Sequence, residues 1–170
     1  MKTLFLSTAL LLSFLCFAQE KINWMSIEEA EKASKKEPRK ILIDVYTDWC
    51  GWCKRMDVDT FQKEEIVSFV NENYYAVKLD AEQKDSIVFK GKTYHFVKKG
   101  RKGYHELAAV FLQGRMAYPS IVYLDENLNI IKPWPGYKGP KDFKVILDYI
   151  VEDYYLQGTF EDYIKSLNSK

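Results

Sequence analysis

Two cysteines, Cys50 and Cys53, follow directly on the apolar run Ile41-Leu42-Ile43-Asp44-Val45-Tyr46 and precede a stretch of helical character. The run is short, β-branched and aromatic, and reads as a buried strand. This order makes a strand-to-helix junction with a sulfur at the helix start. The first N–H groups of a helix have no partner within it, and the macrodipole places partial positive charge there. Both favour a thiolate, lowering a cysteine from about 8.5 toward about 7. The thiolate is the form that attacks disulfides. The second cysteine stands one turn along and can close on the first. The stretch Trp49-Cys50-Gly51-Trp52-Cys53-Lys54 therefore predicts dithiol–disulfide exchange, with Cys50 as nucleophile and Cys53 as resolving thiol.

Composition narrows the alternatives. Lys2, an apolar run to Leu15 and the small residue Ala18 predict a signal peptide over 1–18 and a mature domain over 19–170. An uncleaved membrane anchor facing the periplasm is the alternative. Phe14 and Leu15 before Cys16 argue against a lipoprotein. The whole chain carries 25 basic and 24 acidic residues, and loss of Lys2 balances them, so nothing points to nucleic acid. Cys16 leaves with the leader. A single close cysteine pair braces no loop, which excludes a disulfide scaffold. Two thiols also fall short of the four ligands zinc takes; His95 and His105 read as structural, and no metal is expected.

Along the chain, Ser26-Ile27-Glu28-Glu29 is a capping box opening a helix to about residue 36, and Glu37-Pro38 ends it. Helix follows Cys53, with a break expected at 57–60, helical spacing again over 64–71 and a turn at 71–73. Residues 74–79 read as a strand. Segment 82–102 differs: Lys84, Lys90, Lys92, Lys98, Lys99, Arg101 and Lys102 face only Glu82 and Asp85, and 87–97 read as one hairpin around Gly91. Helix is expected over 103–113, a strand over 121–124, its hairpin partner over 128–131 and a rigid loop over 133–136. A helix from 141 to about 156 and a short one from Thr159 close the chain. No repeat or second domain is evident.

The order of elements, the stretch Ile41 to Lys54, and Ala117-Tyr118-Pro119-Ser120 ahead of an apolar strand resemble the thioredoxin family. The similarity spans roughly 22–156. The opening Trp24-x-Ser26-x-Glu28 and Trp-Cys-Gly-Trp-Cys-Lys are most like its exported bacterial members. Two departures stand out: Trp52 where ordinary thioredoxin has proline, and the 82–102 insertion. The resemblance implies an α/β thioredoxin fold, a central mixed β-sheet flanked by helices, with the basic hairpin inserted before a cis-proline segment.

The resemblance also implies roles. Asp44 matches the family's buried acid, which assists deprotonation of the second cysteine; burial raises a carboxyl pKa, so it can take a proton near neutrality. Lys78 matches the lysine that partners this acid. Pro119 is expected to be cis, turning the Tyr118 backbone toward the sulfurs so that substrate pairs with it as an added strand. Trp49, Gly51, Trp52 and Tyr118 would face that substrate. The expected activity is a thiol–disulfide oxidoreductase of the periplasm, reducing protein disulfides with no cofactor beyond the redox-active Cys50–Cys53 pair. A membrane thiol carrier would resupply electrons to a monomer. An oxidase or isomerase, or a non-catalytic binding module, are the rival readings. The basic insertion reads either as a solvated protrusion or as a docking surface for an acidic partner.

Overall fold

The structure, a computed structural model, describes residues 20–169; the expected leader over 1–18 lies outside the described residues. The organising strand is β2 (Lys40–Tyr46), buried along nearly its whole length. It pairs in parallel with β3 (Tyr74–Asp80) and antiparallel with β8 (Ser120–Leu124). The sheet is completed by β1 (Trp24–Met25) beside β3 and β9 (Ile130–Pro135) beside β8, in the order β1-β3-β2-β8-β9. This is the mixed central sheet of a thioredoxin fold.

Side chains alternate faces along a strand, and that alternation sorts the core. Leu42, Ala76, Ile121 and Tyr123 point to one face, with Met56, Ile66, Val70, Phe143 and Ile150. These come from α2 (Gly51–Asp59), α3 (Glu64–Asn73) and α5 (Pro140–Val151), and α6 (Phe160–Asn168) adds Tyr163. Ile41, Ile43, Val45, Val77 and Leu79 point to the other face, against α1 (Ile27–Lys36) and α4 (Glu106–Phe111). By the same parity Asp44 and Lys78 lie on the α2 face.

The capping boxes at Ser26 and Thr159 form with both reciprocal hydrogen bonds. Several boundaries differ from the sequence reading. Helix α2 runs unbroken to Asp59; Thr60 ends it, its N–H returning to Met56 and its hydroxyl reaching the Lys138 carbonyl at 2.7 Å. Helix α3 continues through Asn73 into β3, with no turn at 71–73, and α5 stops at Val151 ahead of the left-handed Asp153. The expected loop at 133–136 is largely strand: β9 lies at the sheet edge, where Pro133 and Pro135 sacrifice no needed donor.

The insertion holds two hairpins rather than one. Strands β4 (Ile87–Phe89) and β5 (Lys92–Tyr94) form the expected pair, and β6 (Phe96–Lys99) with β7 (Lys102–His105) a second. The chain divides at His95. Its N–H is held by the Glu106 carboxylate at 2.8 Å, and its carbonyl accepts from the Glu106 N–H at 2.9 Å. Residues 103–105, expected as helix, are strand because Gly103 lies under the Phe96 ring: a Cβ there would sit 2.0 Å from its Cζ. Helix α4 then starts at Glu106, with His105 Nδ1 accepting from the Leu107 N–H.

Candidate active site

The chain leaves β2 at Tyr46, turns through Thr47, whose carbonyl accepts from the Cys50 N–H, and enters α2 with Cys50 as its N-cap. Cys50 and Cys53 are joined as a disulfide. Cys50 Sγ accepts from the Cys53 N–H at 3.1 Å, so the first sulfur meets a donor that the helix leaves unpaired. The two residues are 5 % and 3 % exposed, so in the oxidised state the N-cap position, not residue exposure, separates them.

Below the helix lies the acid. Asp44 is 1 % exposed, and burial is the main cause of a pKa pushed up to about 6, against the pull of Lys78. Lys78 stands opposite Asp44 in the β2–β3 register, its Nζ 2.9 Å from Oδ2, while Oδ1 is buried without a hydrogen-bond partner. Lys78 also pairs with Asp57, one turn beyond Cys53 on α2. Burial alone would lower the lysine, but Asp44 and Asp57 together hold it above its ordinary value. Its ammonium lies 5.0 to 5.5 Å from the ring centres of Tyr46, Trp24 and Phe61. A cavity of about 360 Å³ opens onto Lys78 and Asp57, walled by Trp24 and Phe61. Asp57 was hidden from sequence by the break expected at 57–60. Its place one helical turn after Cys53 was the signal available.

Above the sulfurs stand exposed aromatics. Trp49 and Trp52 are 63 % and 56 % exposed, unusual for side chains of this size. Trp49 meets the half-buried Tyr118 edge to face at 5.9 Å. The Tyr118–Pro119 bond is cis. Burial pushes the Tyr118 hydroxyl up to about 12, so it stays protonated at neutral pH. Trp52 lies between the Arg55 guanidinium, 5.4 Å away, and the Tyr137 ring at 5.5 Å. Arg55 and Tyr137 both bind the Asp59 carboxylate, at 3.0 and 3.3 Å. Tyr137 had no sequence signal: it arrives on the loop after β9, which is tied to the proline loop by the Gly136 N–H donating to the Pro119 carbonyl. The structure thus brings Cys50, Cys53, Trp49, Trp52, Tyr118 and Pro119 to one end of the sheet, with Asp44 and Lys78 beneath. Gly51, the first residue of α2, is exposed and has open space where a Cβ would be.

Comparison with known proteins agrees with this architecture. "Disulfide bond reductase DsbH" of Chlamydia pneumoniae is 28 % identical over 109 residues, 64 % of this chain and 59 % of that protein. "Spermatogenesis-associated protein 20" of Rattus norvegicus is 34 % identical over 71 residues, 41 % of this chain. The matches thus span 59 % of the bacterial relative's length and 9 % of the rat protein's. Among solved structures, a DsbH oxidoreductase superposes with a TM-score of 0.57 at 18 % identity, covering 86 % of this chain and 95 % of that one. A thioredoxin-fold protein from Helicobacter pylori gives 0.60 at 20 % identity, covering 86 % and 84 %. Residues 6–129 match the sequence profile of the family described as Thioredox_DsbH, protein of unknown function DUF255, and the chain belongs to that thioredoxin-like family.

Proposed function

We propose that the protein is a thiol–disulfide oxidoreductase of the cell envelope that reduces protein disulfides. The observation that carries this is the Cys50–Cys53 pair at the start of α2, its first sulfur on the Cys53 N–H, beneath exposed Trp49 and Trp52 and beside the cis-proline loop. The name of the Chlamydia pneumoniae relative supports the direction. The pattern of Lys2, an apolar run and Ala18 supports export. Among the described residues no helix is long and apolar enough to cross a membrane.

In the reduced protein Cys50 ionises first, because the helix start stabilises its anion. The thiolate attacks one sulfur of a substrate disulfide. A Cys50–substrate bond forms, the substrate S–S bond breaks, and the other substrate sulfur leaves as a thiolate that takes a proton from water. Cys53 then gives its proton to Asp44, whose raised pKa suits it to accept near neutral pH. The Cys53 sulfur attacks Cys50 Sγ and closes the internal disulfide; the second substrate sulfur leaves as a thiolate that takes a proton from water, and Asp44 gives its proton back to water. Two electrons pass to the substrate, and a membrane dithiol carrier returns them. Substrate would lie along Tyr118, whose main chain makes no hydrogen bond within the described residues and so can pair with an added strand.

Equilibration with glutathione, followed by tryptophan fluorescence, tests the direction. The helix start is the main stabiliser of the thiolate. Arg55 is exposed and engaged by Asp59, so it adds little. The expected potential is about −270 to −200 mV, and a value near about −120 mV would make the protein an oxidase instead.

A further inference from the structure

The second hairpin has a cleft of its own. Phe96 and Gly103 form its floor, Lys84, Lys98, Arg101 and Lys102 its walls, and it ends at Trp49, one residue before the nucleophile. Its volume is about 600 Å³, room for several side chains. The hairpin is built to hold this shape. The absent Gly103 Cβ lets the Phe96 ring lie flat across β7, and Lys84 reaches over that ring, 3.1 Å from its centre.

The charge in the cleft is not paired off directly, although Lys84 lies within the field of the nearby Asp80 carboxylate. Among the described residues, none of its four cations forms an ion pair, although elsewhere Lys35, Lys40, Lys78 and Lys144 all do. Glu82 is the single acid lining it among the described residues. Four clustered cations with one acid repel one another and raise the local concentration of anions. The arrangement lowers its energy when carboxylates enter.

We propose that this cleft binds an acidic segment of the disulfide-bonded protein that Cys50 reduces, so that substrates with Asp or Glu near the reacting cysteine are preferred. The inference rests on the thiol–disulfide exchange reading above and names its substrate class. Continuity with the site selects a polypeptide over other polyanions. Trp49 walls the cleft and packs on Tyr118, along which the substrate strand lies, so a chain held there runs toward the cleft at about 3.3 Å per residue. Acids a few residues from the cysteine reach the lysines. A bilayer or a nucleic acid would meet these exposed cations without being aligned with the sulfurs.

The test uses the reduced protein and cyclic disulfide peptides identical except for two Glu, two Gln or two Lys residues beside the first cysteine. The Glu peptide is expected to react about tenfold faster than the Lys peptide at low salt. The gap should narrow as added salt shortens the Debye length from about 30 Å at 0.01 M to about 8 Å at 0.15 M. Charge reversal by Lys98→Glu with Arg101→Glu should abolish or invert this order and leave the Gln peptide within about twofold. Both side chains are exposed and outside the core, so the fold should survive. A fluorescent Glu peptide with serines for cysteines, followed by anisotropy, reads the cleft without the chemistry. Its binding should weaken with salt and with charge reversal.

Equal rates for the Glu and Lys peptides, or a preference that survives charge reversal, would overturn the proposal. So would binding of phosphatidylglycerol vesicles or an oligonucleotide through these residues with no discrimination among the peptides. If no peptide is reduced but the serine peptide binds and is lost on charge reversal, the exchange reading falls and the acidic-segment site stands.

Discussion

Replacing Asp44 by Asn should change the pH dependence of stability in a calculable way. In the folded protein the carboxyl is raised from 3.8 to about 6, with burial the main cause. A raised acid favours the folded state while protonated, so its contribution is fully present below about 3.8 and lost as the pH climbs through about 6. The gap corresponds to about 3 kcal/mol between those limits. Asn cannot ionise, so the variant lacks this term, and its stability relative to the parent should rise by about 3 kcal/mol from pH 3.5 to pH 7.5. Removing one member of a buried ion pair usually costs 3–5 kcal/mol, roughly, through the charge left behind. Here Lys78 keeps Asp57, on the cavity side, so the orphan penalty is small. An Asn amide at the unpartnered Oδ1 position costs about 1–3 kcal/mol for a lost hydrogen bond, a constant offset at every pH. Guanidinium denaturation of parent and variant at pH 3.5, 5 and 7.5 measures the difference, and acids remote from the Asp44–Lys78–Asp57 row cancel in it. A parent–variant difference that moves by less than about 1 kcal/mol across that range would refute the raised carboxyl, and with it the proton acceptor.

Two further outcomes follow from the same geometry. After reduction, Cys50 should alkylate with iodoacetamide at a half-maximal pH about 1 to 2 below that of a free thiol while Cys53 is protected; equal labelling of both at pH 7, read by peptide mass, would remove the nucleophile assignment. Asp57→Asn should lower the Asp44 pKa, because Asp57 repels the Asp44 charge and shares its lysine; the upper end of the stability transition should then fall below about pH 6, and an unmoved transition would show that Asp57 does not act on Asp44.

The sequence made the sheet and the sulfurs legible because both rest on short-range rules. Apolar runs at 41–46, 74–79 and 121–124 read as strands from local pattern, whereas the pairing of Asp44 with Lys78 is implied only by the resemblance and is set by the β2–β3 register. What escaped were features that depend on distant partners. Residues 57–60 look like a helix end when read alone; the helix runs on to Asp59, with Asp57 paired to Lys78, and ends only at Thr60, whose hydroxyl finds the Lys138 carbonyl. Pro133 and Pro135 argue for a loop until β9 is known to be an edge strand. The second hairpin hid because Gly103-Tyr104-His105 precedes a true helix, and it takes the β6 partner, with the Phe96 ring over Gly103, to fix those residues as strand. Tyr137 reaches the Trp52 ring through a loop whose path no local pattern encodes.

The division between the two faces of the sheet has a consequence for how the site can vary. Asp44, Lys78 and Asp57 lie on the α2 face, whereas β4–β5 contributes Ile87 and Phe89 to the core cluster of the opposite face, and β7 leads directly into α4 on that side. None of the hairpin lysines is among the groups that shift Asp44; Lys78 and Asp57 are the charges that do. The insertion borders the sulfur site through Trp49, and its Gln83, Asp85 and Ser86 share a separate pocket with Lys78. On the proposed reading, Lys98→Glu with Arg101→Glu should change which disulfides react with Cys50 while Asp44 keeps its raised pKa. Conversely, substitutions along the Asp44–Lys78–Asp57 row should alter the pH profile of exchange for every peptide alike. On that reading, the exposed indole of Trp49 is where the cleft and the disulfide site adjoin.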